Sequence, residues 1–172
     1  MKEAYLKSAI KRFDYYRSVG LRSMEQLSDE DLFWHLDEES NSIAIIVNHL
    51  HGNMLSRWTN FLQEDGEKPW RERDAEFENR IKDRKELMAK WNEGWDLVSD
   101  TLNALSADDL DKEVRIRNEA HSVVDAINRQ LAHYAYHVGQ MVYVAKMRKG
   151  KQWKTLTIAK GKSKEFNRSM RK

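Results

Sequence analysis

Four stretches of the chain repeat apolar residues at helical spacing. Between residues 3 and 19, Leu6, Ala9, Ile10, Phe13 and Tyr16 fall on the i, i+3, i+4, i+7 track, and Gly20 follows as a stop signal. Between 41 and 63, Ile43, Ile46, Val47, Leu50, Met54 and Phe61 make one stripe. Between 80 and 104, Ile81, Met88, Trp95 and Leu102 recur at heptad spacing, as do Trp91, Val98 and Leu105, a seam suited to helix packing. Between 121 and 148, Val124, Ile127, Leu131, Tyr134, Val138, Met141, Val142 and Ala145 form an apolar arc that Gly150 ends. No stretch alternates with the period of a strand. The pattern predicts an all-α protein, a single domain over 1–172 built as a four-helix bundle with long connections. Two connections carry the same signal: Leu27-Ser28-Asp29-Glu30-Asp31-Leu32 and Leu105-Ser106-Ala107-Asp108-Asp109-Leu110. A serine with an acid three residues on resembles a capping box, and the echo is as well explained by recurrent capping as by an internal repeat.

Composition narrows the picture. Seven glycines and one proline suit a helical chain. There is no cysteine, which excludes disulfides, thiolate ligands and a cysteine nucleophile. No apolar run approaches the roughly 20 residues of a membrane span, and the first residues lack a signal-peptide core, so cytoplasm is the expected compartment. The net charge of +2 hides an asymmetry. From Arg148 to Lys172 stand ten basic residues and one acid, Glu165. Such a basic segment at 149–172 could contact nucleic acid. Its aromatic interleaving is thin and no nucleic-acid motif is present, which favours a solvated tail or a dimer contact with the acidic body. Trp153, Leu156, Ile158 and Phe166 are available to dock it. The charge run from Asp65 to Asp83 reads as a solvated face on which Trp70 and Phe77 mark a docking point, and Trp34 and Trp70 could line a pocket mouth.

Candidate chemistry lies in histidines. His133 and His137 are four residues apart, so both leave the same side of a helix, at one edge of its core stripe. In the 41–63 stretch, His49, Asn53 and Arg57 fall at i, i+4, i+8 along one border of the stripe, and His51 falls on the other border. Three imidazoles could hold Zn²⁺, Ni²⁺ or Fe²⁺ and leave a position open for water or substrate. The glutamate of HExxH is missing, so a zincin-type protease is unsupported. Periodicity does not choose between His49 and His51 as the third ligand. Asn53 and Arg57 could anchor an anionic co-substrate or orient a ligand, Gln130 less strongly; ordinary interhelical hydrogen bonds explain them too. His35 and His121, near helix starts, read as surface or capping residues.

Asn41-Ser42-Ile43-Ala44, Val47-Asn48-His49-Leu50-His51-Gly52-Asn53-Met54 and Gln130-Leu131-Ala132-His133-Tyr134-Ala135-Tyr136-His137-Val138-Gly139-Gln140 together resemble the DinB/YfiT-like superfamily. Gly66-Glu67-Lys68-Pro69-Trp70-Arg71-Glu72-Arg73-Asp74 further resembles an uncharacterised bacterial branch of it. The resemblance implies a four-helix bundle, often a homodimer, with one divalent metal on His49, His133 and His137; it selects His49 over His51. It also implies chemistry: characterised members include metal-dependent S-transferases of low-molecular-weight thiols (bacillithiol, mycothiol, glutathione) and an isomerase of maleylpyruvate type. The expected function is thus thiol transfer in stress or detoxification, or a related hydrolysis, with a thiol co-substrate. No catalytic side chain is assigned. The competing expectation is a non-catalytic dimeric interaction protein that uses its basic C-terminal segment.

Overall fold

The computed structural model describes residues 1–170, so Arg171 and Lys172 of the basic segment lie outside the described residues. Four long helices dominate: α1 (Lys2–Met24), α3 (Ile43–Trp58), α4 (Arg84–Ala104) and α5 (Val123–Lys149). Two short ones, α2 (Asp29–Phe33) and α6 (Ser163–Ser169), accompany them. α3 packs mainly on α4, and α1 on α5; α1 also meets α4, and α3 meets α5, so the four close around one core. At the centre Phe13 sets its ring edge-on to Trp58 and Tyr134. Some polar atoms of that core pair internally: Trp58 Nε1 donates to Tyr134 Oη at 2.8 Å, which donates to Asn53 Oδ1 at 3.1 Å, whereas the buried indole N–H groups of Trp91 and Trp95 have no partner among the described residues. No described helix is long and apolar enough to cross a membrane.

The helix starts follow their caps. Ser42, Asp83 and Ser122 each accept a backbone N–H three residues on, from Ile45, Glu86 and Asp125. Asp83 thereby sets the start of α4 at Arg84, not at 80, and leaves Ile81 buried ahead of it. Ser28 and Asp31 close a reciprocal capping box on α2, and Ser106 and Asp109 repeat it on a 3-10 turn.

Several boundaries differ from the sequence expectation. α1 does not stop at Gly20 but runs on to Met24. A methyl group on Gly20 would overlap the Trp91 ring, so this glycine serves helix contact and not termination. α3 ends at Trp58, short of Gln63, where Thr59 is extended and Asn60 takes a left-handed φ of 50°. Phe61 still reaches the core from the following turn by packing on Trp58, so its burial mimicked helical periodicity.

Strands are present after all. β1 (Glu113–Ile116) and β2 (Glu119–Ser122) form an antiparallel hairpin with Val114 opposite His121 and Ile116 opposite Glu119. Arg117 and Asn118, with φ of 57° and 63°, make its two-residue turn, and α5 begins only at Val123. The hairpin is tied to the α3–α4 connection by Asp65, whose carboxylate accepts the backbone N–H groups of Arg117 and Asn118 at 2.8 and 2.7 Å.

The C-terminal segment docks only in part. Trp153 and Leu156 pack against the core, and Gln26 exchanges hydrogen bonds with the Lys154 backbone. Ile158 and Phe166 do not dock; each is 42% exposed. α6 has no buried residue.

Candidate metal centre

α3 and α5 present His49, His133 and His137 to one point. His133 Nε2 lies 3.2 Å from His49 Nε2 and 3.1 Å from His137 Nε2. One ligand atom from each residue lies within 4.8 Å of the others. Two imidazole nitrogens that share a tetrahedral metal at about 2.0–2.1 Å sit about 3.3 Å apart, so this spacing fits. The outer nitrogens support the same reading. His49 Nδ1 bonds Glu76 Oε2 at 2.8 Å, and His137 Nδ1 bonds Gln140 Oε1 at 2.9 Å. Both partners accept, so each Nδ1 carries the proton and each Nε2 of a neutral ring offers a lone pair. Two lone pairs therefore aim at His133 Nε2, which as a donor could satisfy one of them. A cation at the shared point satisfies all three. Burial, together with the neighbouring His137 and His49, lowers the pKa of His133 to about 3. Burial and His49 lower that of His137 to about 4. Both are neutral, and so ligand-competent, at neutral pH.

The carboxylate behind His49 comes from the α3–α4 connection, within the run expected to be a solvated face. That expectation fails for its middle. Lys68, Arg71 and Glu76 have buried side chains. Arg71 grips Glu76 with two hydrogen bonds, Nε to Oε1 at 2.7 Å and Nη2 to Oε2 at 2.9 Å. Asn48 Nδ2 donates to the Glu76 carbonyl at 3.0 Å, and Phe77 stacks on the His49 ring with centroids 4.6 Å apart. Gly52, one turn beyond Asn48, makes room: a methyl group there would overlap the Glu76 carboxylate. Burial would raise the Glu76 pKa, but the bonds from His49 and Arg71 outweigh it and hold the group below its ordinary value. Phe77 docks as the sequence suggested, whereas Trp70 stays 55% exposed. Glu76 and Arg71 were not singled out from the sequence. The mixed charge signs of the run were the only available hint.

The other candidates divide. Asn53 is buried and holds Tyr134, a core role, while also facing the site cavity. Arg57 is buried; it donates to the Gly66 carbonyl and to Glu67 Oε2, and burial lowers its pKa. Gln130 is buried with no partner for its Oε1, and it lines the same cavity. His51 turns away, with Nε2 on Glu93 of α4 at 2.9 Å. His35 bonds the Asp37 carbonyl at the surface, and His121 pairs with Asp125 in the first turn of α5. None of these three reaches the site.

A cavity of about 320 Å³ opens over the imidazoles, walled by Arg57, Arg71, Arg73, Arg117 and Arg129. A family model described as a protein of unknown function, DUF1572, matches residues 1–162. The chain belongs to that family. No curated protein and no solved structure matches it. In this DUF1572 protein a second, larger cavity of about 670 Å³ lies along α5. Trp34, Tyr136, Tyr143 and Met147 line it, and so does Gln140, the partner of His137. Trp34 thus sits at a pocket mouth, but not at that of the histidine cavity.

Proposed function

We propose that this DUF1572 protein is a metal-dependent enzyme of the DinB/YfiT-like class that transfers a low-molecular-weight thiol to an electrophile in detoxification or stress chemistry. The observation that carries the reading is the convergence of three imidazole Nε2 atoms, two with their lone pairs fixed by Glu76 and Gln140. Four long helices around one core, with the ligands on α3 and α5, support membership of that superfamily's four-helix bundles. Outward-facing Tyr136, Tyr143 and Met147 on α5 support a homodimer.

His49, His133 and His137 would hold the ion, and the all-imidazole donor set favours Zn²⁺ or Ni²⁺. When bound, a divalent metal supplies a Lewis acid that lowers the pKa of a coordinated thiol or water. The protein's own groups do the rest. Glu76 and Gln140 orient the rings; Arg71 keeps Glu76 ionised; Phe77 shields His49 from solvent. In the transfer the sulfur forms a bond to the electrophilic carbon. The leaving group departs with its electron pair, and the thiol proton passes to solvent.

Purified protein is expected to carry about one divalent ion per chain by elemental analysis, and His137→Ala to lose it. Loaded protein should then consume a thiol from a panel of low-molecular-weight thiols in the presence of an electrophilic aryl halide. Protein that stays metal-free after supplementation would overturn the metal reading. Metal-loaded protein inert to every thiol would overturn the transferase reading.

A further inference from the structure

The cavity over the imidazoles is walled by five arginines and by no carboxylate. They arrive from four separated segments: Arg57 from α3, Arg71 and Arg73 from the α3–α4 connection, Arg117 from the hairpin turn and Arg129 from α5. Three of the five are compensated from behind. Arg57 and Arg117 share Glu67, each at 3.0 Å, and Arg71 closes on Glu76. The other two are not. The nearest carboxylate to Arg73 is Asp74, at 4.0 Å and fully exposed, while the Arg73 guanidinium lies over the Phe77 ring beside His49. Arg129 has no ion pair among the described residues. Elsewhere on the surface Arg80 sits on Glu78, Arg84 on Asp29 and Arg148 on Asp31, while Arg12, Arg22 and Arg168 have no ion pair among the described residues but stand apart from one another in the sequence and line no shared cavity with the five.

Like charges gathered at one mouth repel each other, and more strongly where the walls exclude water. A purely solvated role would not require them to face one concavity. A bound anion removes the repulsion and uses the planar fork of guanidinium, which matches carboxylate and phosphate oxygens.

We propose that this cavity takes a small acidic molecule with at least two negative charges, carboxylate or phosphate oxygens, held chiefly by Arg73 and Arg129. Arg117 completes the mouth. Two uncompensated guanidiniums call for two charges. The volume, about 320 Å³, suits a molecule of modest size. The inference rests on the preceding reading in one respect: the three imidazoles mark the reactive end, so the anionic groups lie at the far end of the substrate and its reacting atom points to the cavity floor.

The test is calorimetric titration of the full chain, metal-free and metal-loaded, with succinate and with inorganic phosphate as probes. Binding is expected in both forms, to weaken with rising salt, and to fall about tenfold for Arg129→Gln and further for the pair Arg73→Gln/Arg129→Gln. Arg129→Lys should keep part of the affinity. Both arginines are solvent-exposed, so the variants should retain the wild-type melting temperature. Succinate bound in preference to phosphate identifies a dicarboxylate as the ligand chemistry, and the reverse identifies a phosphate ester. On cobalt-loaded protein, mercaptosuccinate should bind at least tenfold more tightly than 2-mercaptoethanol, read from the thiolate-to-cobalt absorption, and the paired variant should erase that advantage. Anion affinity unchanged in the variants, or no binding of either probe, overturns the proposal while leaving the metal reading intact. Arginine-dependent anion binding in a protein that never takes up metal overturns the metal reading and upholds the anion site.

Discussion

The connection between α3 and α4 and the segment after α5 are both irregular, both rich in charge, and both look solvated in the sequence. The first is built into the fold through its middle, whereas the second docks only around Trp153 and Leu156. The charges of the first alternate in sign and find one another: Lys68 meets Glu64, Arg57 meets Glu67, and Arg71 meets Glu76. A buried charge is tolerable when its partner and its hydrogen bonds come with it. The C-terminal segment has nearly one sign only, so its charges have nothing local to bury against. It is held by Trp153, Leu156 and a few backbone bonds, and α6 stays exposed. Charge density therefore says little about burial, whereas the balance of signs within reach says a good deal.

The contrast breaks most visibly at Glu76. Glu76→Gln leaves Arg71 buried beside a neutral amide with only the more distant Glu67 carboxylate, at 3.6 Å; an unfolding titration should record a loss of about 2–3 kcal/mol, and metal competition a weakening of about 10–100-fold. A variant as stable as the wild type would mean that the connection is not held by that pair. Gly52→Ala attacks the same contact by volume and should cost about 1–3 kcal/mol, again with weaker metal binding. Acid supplies a graded version. His133 and His137 have folded pKa values of about 3 and about 4, below their ordinary 6.5. Between those values the unfolded chain binds more protons, so the stability of metal-free protein should fall as pH drops below about 6.5 and stay level just above it. Replacing both histidines by Asn should flatten the slope. At the other extreme, truncation before Ser163 should move stability by no more than about 0.5 kcal/mol, because α6 buries nothing. A large loss there would erase the distinction between the two segments.

The same physics explains what could be read from the sequence. The four helices and the shared face of His133 and His137 follow from the 3.6-residue period, since residues four apart must share a face, whereas only the resemblance selects His49 over His51. His49 and His51 were indistinguishable by that rule because each borders the stripe, from opposite sides. The structure separates them, with His51 turned to Glu93. Glu76 has no period to betray it, lying in an irregular segment 27 residues from its partner His49. The hairpin was hidden for another reason. Its strands are four residues long, only Val114 and Ile116 are buried, and its turn is Arg-Asn, not the familiar Asn-Gly. With the hairpin went Arg117, and with the connection went Arg71 and Arg73, so most of the cavity wall was invisible while its floor was legible.

Asp65 joins those two hidden pieces. Its carboxylate accepts three backbone N–H groups, from Glu67, Arg117 and Asn118, the latter two more than fifty residues away in sequence. Amides at the tip of a hairpin ordinarily exchange with solvent at once, but these two are held. Their protection depends on one side chain and not on the core, so their opening free energy should lie well below that of global unfolding. Hydrogen exchange at Arg117 and Asn118 thus reads how firmly one carboxylate holds the hairpin tip that carries Arg117 to the cavity wall.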